Sequence, residues 1–255
     1  MDEGRRSLLK ALAVTALAGC TPTRPSQPTT PALPSPSPLG TATHSPSPSP
    51  TPSVAASVVP SPSPSPTPSP APTVRPVISR ELLGLPDPLP GGTPHTISGL
   101  MLHHTAAPVV EPSRAPDRFR SHTRGHRDAG FVDVAYHWGV DTGGSIYQLR
   151  DVGIAGETFT DYDPAGWFLV VCEGNFEEAA PTDAMLAAVA DVFAAGAQQY
   201  GVAPSTLVGH RDRAATACPG DNLQRMLPEL VGMVEQRLAN GGVVLEVTDD
   251  PAALP

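Results

Sequence analysis

An imidazole and a thiol stand eight residues apart in Val208-Gly209-His210-Arg211-Asp212-Arg213-Ala214-Ala215-Thr216-Ala217-Cys218-Pro219-Gly220, a pair of donors that a zinc ion binds well. Two ligands do not complete a catalytic site. A third can come from Leu100-Met101-Leu102-His103-His104-Thr105-Ala106, where an apolar run ends in two imidazoles. Three protein ligands leave one tetrahedral position for water, the arrangement of a catalytic rather than a structural zinc. Successive strand residues point to opposite faces, so only one of His103 and His104 reaches such a site, and the spacing does not choose between them.

These groups need elements whose ends meet. Leu100 to His103 predicts a short strand buried on both faces, and Thr206 to Gly209 predicts another that delivers His210 at its end. Phe168 to Cys172 is a further buried strand. Val134 to Asp141 and Ser145 to Leu149 flank Asp141-Thr142-Gly143-Gly144, whose glycines suit a hairpin turn. Ala115 to Arg127 reads as helix. Thr182 caps an alanine-rich helix from Met185 to Tyr200 that stops at Gly201, and Leu223 to Ala239 forms a last amphipathic helix. Strands and helices intermix, which predicts a single α/β domain with a central mixed β-sheet flanked by helices. His103 and His210 then sit at strand ends, with Cys218 in the loop before the last helix.

The chain has 255 residues, 33 of them proline, and more than half of the prolines fall between Thr21 and Pro76 among Ser-Pro and Thr-Pro repeats. That stretch lacks the side chains to bury a core and is expected to be a disordered tether. About 55 such residues, extended at about 3.1 Å each, reach on the order of 170 Å. Ahead of it, Arg5 and Arg6 precede a short apolar run, Ala11 to Ala18, too short to span a bilayer and read as a signal peptide. The expected organisation is therefore signal peptide at 1–20, Pro/Ser/Thr-rich linker at 21–77, folded domain at 78–240 and flexible acidic tail at 241–255. A net charge of −9 argues against a nucleic-acid partner. Arg114, Arg118, Arg120, Arg124 and Arg127, with His122 and His126, crowd one segment, either as a solvated helix face or as a local site for carboxylates. The cysteines, Cys20, Cys172 and Cys218, are too few for a disulfide framework, and Cys172 between apolar neighbours reads as a core residue.

Leu17-Ala18-Gly19-Cys20 resembles the bacterial lipobox, and Arg5-Arg6-Ser7-Leu8-Leu9-Lys10 resembles the twin-arginine export signal. The resemblance implies export and a lipid on Cys20, anchoring the chain to a membrane that faces the cell wall or periplasm. The folded part, about Ile78 to Leu238, resembles the type 2 N-acetylmuramoyl-L-alanine amidases and peptidoglycan recognition proteins. Ile78-Ser79-Arg80-Glu81-Leu82-Leu83-Gly84 is similar to that family's opening motif, with Leu83 where tryptophan is usual. Leu102-His103-His104-Thr105-Ala106, Val134-Ala135-Tyr136-His137-Trp138, Gly209-His210-Arg211-Asp212 and Thr216-Ala217-Cys218-Pro219-Gly220 match its later motifs in order. The resemblance implies His103, His210 and Cys218 as ligands of Zn2+, with Tyr136 and Thr216 as catalytic residues. Some relatives place a glutamate where this chain has Val171, with Glu173 close by. Arg120, Arg124, His122 and His137 are candidate substrate contacts, although the two histidines also read as packing or surface groups.

The expected function is zinc-dependent hydrolysis of the amide between N-acetylmuramic acid and L-alanine, acting as a monomer on peptidoglycan or muropeptides. The alternative is a peptidoglycan-binding module without catalysis. Binders in this family typically lose the cysteine or another ligand, whereas His103, His210, Cys218 and Tyr136 are all present here. A zinc peptidase of other specificity would want a His-Glu-x-x-His helix, which the sequence lacks.

Overall fold

A computed structural model describes residues 70–255. The expected signal peptide, Cys20 and nearly all of the expected linker lie outside the described residues. Among those described, no helix is long and apolar enough to cross a membrane.

One sheet organises the domain. Its strands are β1 (Thr73–Ile78), β2 (Gly99–His104), β3 (Trp138–Val140), β4 (Ile146–Gln148), β5 (Trp167–Cys172), β6 (Val208–Gly209) and β7 (Val243–Thr248), in the spatial order β6-β2-β5-β3-β4-β1-β7. β2 is parallel to both β5 and β6, and β3 is parallel to β5. Buried on both faces, β2 and β5 need the near-continuous apolar runs that the sequence carries. β3 and β4 form the expected antiparallel hairpin. Its turn is held by Asp141, whose carboxylate accepts from the backbone N–H groups of Gly143 and Ser145 at 2.8 and 3.0 Å, and from the Tyr147 hydroxyl at 2.6 Å.

Helices cover the two faces unequally. On one face lie α2 (Asp183–Tyr200) and α4 (Leu227–Ala239), packed over Leu100, Leu102, Phe168, Val170 and Cys172. The Thr182 hydroxyl accepts from Met185 N at 3.1 Å and caps α2, which ends at Gly201 with φ of 65°. Cys172 is a fully buried core thiol, and burial raises its pKa. On the other face a single helix, α1 (Ala115–Asp128), sets Phe119 against Val171, Tyr147 and Leu149. α1 can lie this close because residue 139 of β3 is glycine. A Cβ there would come within 2.6 Å of the Phe119 ring. One helix leaves part of this face bare, and the cleft described below occupies it.

Three expectations need correction. The last helix is not continuous from Leu223: a short α3 (Asp221–Gln224) precedes α4, whose first turn holds a proline, Pro228, with no backbone N–H to carry a helical hydrogen-bond ladder through from α3. The tail is not wholly flexible, because Val243–Thr248 pairs with β1 along its whole length, from Thr73↔Val243 to Ile78↔Thr248. The folded region accordingly begins before residue 78, since Thr73–Ile78 is itself a strand of the sheet. Alternating Val-Val-Leu-Glu-Val-Thr is a strand pattern, and the acids that follow it had masked the signal.

Candidate metal centre

His103 is the penultimate residue of β2 and lies in register with Val171 of β5, so it faces the α1 side of the sheet. His210 follows β6 directly and opens a single helical turn, His210–Asp212. The loop then doubles back: Arg211 N donates to Cys218 O at 2.8 Å, and Cys218 N donates to Thr216 Oγ1 at 3.2 Å. This returns the Cys218 sulfur to 3.5 Å from His103 Nδ1 and 3.4 Å from the backbone N–H of His104. One donor atom each from His103, His210 and Cys218 lie within 4.8 Å of one another. His104 turns away, its Nδ1 accepting from Phe176 N at 3.2 Å.

The donors suit a metal. Burial lowers the pKa of His103 well below its ordinary value and also lowers that of His210, so both imidazoles are neutral at pH 7 and keep a lone pair to offer. His103 Nε2 is buried with no hydrogen-bond partner among the described residues. Burial pushes the Cys218 thiol up to about 12, partly opposed by the His104 backbone N–H and by Arg211. A divalent ion would displace that proton on binding. Two nitrogens and one sulfur fit zinc and do not fit magnesium or calcium, which take oxygen.

Around the cluster lies a cavity of about 250 Å3. The Tyr136 ring is 5.0 Å from that of His103, and burial first, then nearby Cys218, raises its hydroxyl pKa, so Tyr136 is a neutral donor across the physiological range. Thr216 also lines the cavity. On the far side the Tyr162 ring is 4.8 Å from His210, and Thr160 Oγ1 is 2.8 Å from His210 Nε2. A larger cavity of about 1130 Å3 beside α2 and β7 contains none of the three donors.

The four candidate substrate contacts do not line this cavity. His137 is fully buried in the framework, with Leu169 N donating to its Nδ1 at 3.0 Å and its Nε2 at 3.1 Å from Ile154 O. Burial holds its pKa at about 3. Next to Tyr136 in the chain, it has no share in the cavity wall that Tyr136 lines. Arg120 is spent on the Leu83 carbonyl at 2.8 Å and Asp117 at 2.5 Å, His122 meets Glu173 at 2.9 Å, and Arg124 is exposed on α1. Glu173 is no free base, because its oxygens lie 3.1 Å from Arg118 Nε and 2.9 Å from His122 Nε2. The lining residues include one carboxylate, Glu157, which binds Val132 N and Arg150.

Sequence reasoning missed Phe131, Glu157, Phe159, Thr160 and Tyr162 on the cavity wall, and it singled out His126, also on that wall, only within the Arg/His segment. Four of them come from the irregular loop between β4 and β5, where no periodicity marks a residue. The available signal was the aromatics of Glu157-Thr158-Phe159-Thr160-Asp161-Tyr162, set in a stretch too polar for a core.

Known proteins resemble this chain in sequence and in fold. The profile of the N-acetylmuramoyl-L-alanine amidase family matches residues 93–221, half of the chain. The human N-acetylmuramoyl-L-alanine amidase is 33% identical over 149 residues, which cover 55% of this chain but only 26% of the human protein. A peptidoglycan-recognition protein of Drosophila simulans is 32% identical over 126 residues, covering 49% of this chain and 69% of the fly protein. Among solved structures, Drosophila PGRP-LB superposes with a TM-score of 0.55 at 25% identity, over 61% of this chain and 93% of its own. The amidase LysC from Clostridium intestinale URNW gives 0.50 at 20% identity, over 61% and 97%, a likeness of fold alone. The profile match over half of the chain and the fly relative covered beyond two thirds of its length agree, and the chain belongs to the N-acetylmuramoyl-L-alanine amidase family.

Proposed function

We propose that this protein hydrolyses the amide between the lactyl group of N-acetylmuramic acid and L-alanine in peptidoglycan, with zinc held by His103, His210 and Cys218. The observation that carries the reading is the convergence of those three donors, from two distant segments of the chain, within 4.8 Å beside the half-buried Tyr136. When bound, zinc supplies a Lewis acid and lowers the pKa of water from about 15.7 to roughly 7. The chain does the rest. Neutral His103 and His210 leave their lone pairs free, and the backbone N–H of His104, 3.4 Å from the sulfur, steadies negative charge on Cys218. Tyr136, protonated throughout the working range, donates to the carbonyl oxygen as it gains charge. Such a donor is worth about 3 kcal/mol in the transition state. Thr216 adds a weaker hydroxyl on the same side.

One observation favours the binding reading: among the described residues no free carboxylate stands at the cluster, since Val171 lies beside His103 and both Glu173 and Glu157 are engaged. A single experiment separates the two. Purified protein is expected to carry about one zinc per chain and to release free stem peptides from wall sacculi, with release abolished by a chelator and restored by zinc. Wall binding without release would reject the hydrolytic reading, and full release from metal-free protein would reject the role given to zinc.

The Arg5-Arg6 and Leu17-Ala18-Gly19-Cys20 strings support export and lipid attachment at Cys20, which would hold the domain near its substrate. Cys20→Ala is then expected to move the protein from the membrane pellet to the soluble fraction. A variant that still pellets contradicts lipidation.

A further inference from the structure

Phe159 is, among the described residues, the most exposed of the large apolar side chains, at 68% of its full accessibility, yet it does not stand alone. Its ring stacks on Phe131 with centroids 4.4 Å apart and planes at 25°. His126 joins the pair, 5.4 Å from Phe131 and 6.0 Å from Phe159, and lies edge-on to Tyr136 at 5.9 Å. Tyr136 in turn is 5.0 Å from His103. Rings therefore run without a break from the candidate ligands to the rim, along one wall of the 250 Å3 cavity. A flat apolar surface turned to water at the mouth of a polar site marks a place that something covers.

We infer that Phe131 and Phe159 are the platform for the saccharide side of the substrate, with the C–H face of the muramoyl pyranose lying on Phe159. This rests on the amidase reading above, and charge decides which side of the substrate belongs here. In that substrate the lactyl carboxyl is consumed in the amide, so the glycan side is uncharged, whereas the stem peptide keeps free carboxylates. The platform offers a carboxylate nothing. His126 is held neutral by burial, which lowers it to about 4, and its Nδ1 already accepts from Ala135 N at 3.1 Å. Glu157 on the same wall repels an anion, and the Arg150 guanidinium is buried and committed to Glu157 and the Val134 carbonyl. A neutral ring with an apolar face meets no such penalty, and stacking on an aromatic side chain is its natural contact. Phe159 and Phe131 are thus specificity residues, which touch the sugar and leave the reacting amide to Tyr136 and the metal ligands.

The test uses the full chain loaded with zinc and two substrates with the same amide: an N-acetylmuramoyl-peptide, and a lactoyl-peptide that lacks the sugar ring. Phe159→Ala is expected to raise KM for the first relative to the second by roughly 3- to 10-fold, with kcat little changed. Phe159→Trp should restore the ratio. Because the side chain is mostly exposed, neither variant threatens folding. An equal rise on both substrates would assign the platform to the peptide and overturn the inference, as would an unchanged ratio. A second readout does not need turnover. In a Cys218→Ala background the Phe159→Trp indole emission should respond to N-acetylmuramic acid methylamide and not to the free stem peptide. Response to the sugar, with no hydrolysis by the zinc-loaded parent, would keep the platform and reject the amidase reading. Hydrolysis with an emission that answers only to the peptide would do the reverse.

Discussion

Tyr136 owes its candidate role to its place beside the three donors, with its ring 5.0 Å from that of His103. A tyrosine hydroxyl is already neutral at pH 7, and desolvation followed by nearby Cys218 raises its pKa further, so it keeps its proton into the alkaline range. Tyr136→Phe is therefore expected to lower kcat about 100-fold, with KM and Tm nearly unchanged; a kcat within twofold of the parent would remove Tyr136 from the chemistry. At this scale the sequence was legible where motif partners lie close in the chain. Gly209 to Cys218 is one loop, closed on itself by Arg211 N to Cys218 O, so its spacing alone brings two donors together. His137 misled because it adjoins Tyr136, yet its ring is tied into the framework by Leu169 N and Ile154 O. The wall of Phe159, Thr160 and Tyr162 was illegible for another reason: an irregular loop has no period, and its position depends on contacts with His210 and Phe131 that are far off in the chain.

At the level of elements, the contact between β3 and α1 fixes the helix that brings His126 to the cavity wall. Gly139 permits it, since a side chain there would strike the buried Phe119 ring. Gly139→Ala is expected to cost about 2 kcal/mol by overpacking and to lower Tm by roughly 4–8 °C. Activity should fall further than stability alone accounts for, because Tyr136 lies three residues before the displaced backbone. Thermal melting read alongside kcat checks this, and a variant that melts like the parent would mean that Phe119 swings aside freely. The buried strands and α2 were readable because their apolar runs, the Thr182 cap and the stop at Gly201 are local signals. The break between α3 and α4 was not, since amphipathic spacing continues across Pro228 while the hydrogen-bond ladder does not.

In the molecule as a whole, the sheet is finished by its two ends. β7 covers the outer edge of β1, Ser79 bonds Asp249, and Asp191 of α2 pairs with both Arg75 of β1 at 3.1 Å and Arg237 of α4 at 2.8 Å. Ending the chain after Gly242 is expected to expose β1, remove the cooperative melting transition and drive the protein into aggregates. A truncated chain with the parent Tm would show that β7 is dispensable. Neither end strand was placed in the domain from the sequence, because pairing between distant segments leaves no local trace.

That pairing also has a consequence in time. Ser79 and Asp249 are 170 residues apart, and β1 and β7 stay in register over the same separation. During synthesis β1 emerges first and waits for almost the entire domain before its partner exists, and contacts of such long range form slowly. The sheet cannot close at this edge until Val243–Thr248 has left the ribosome. Closure of this outer edge is thus a late step in folding, since β1 has no partner there until Val243–Thr248 has been made.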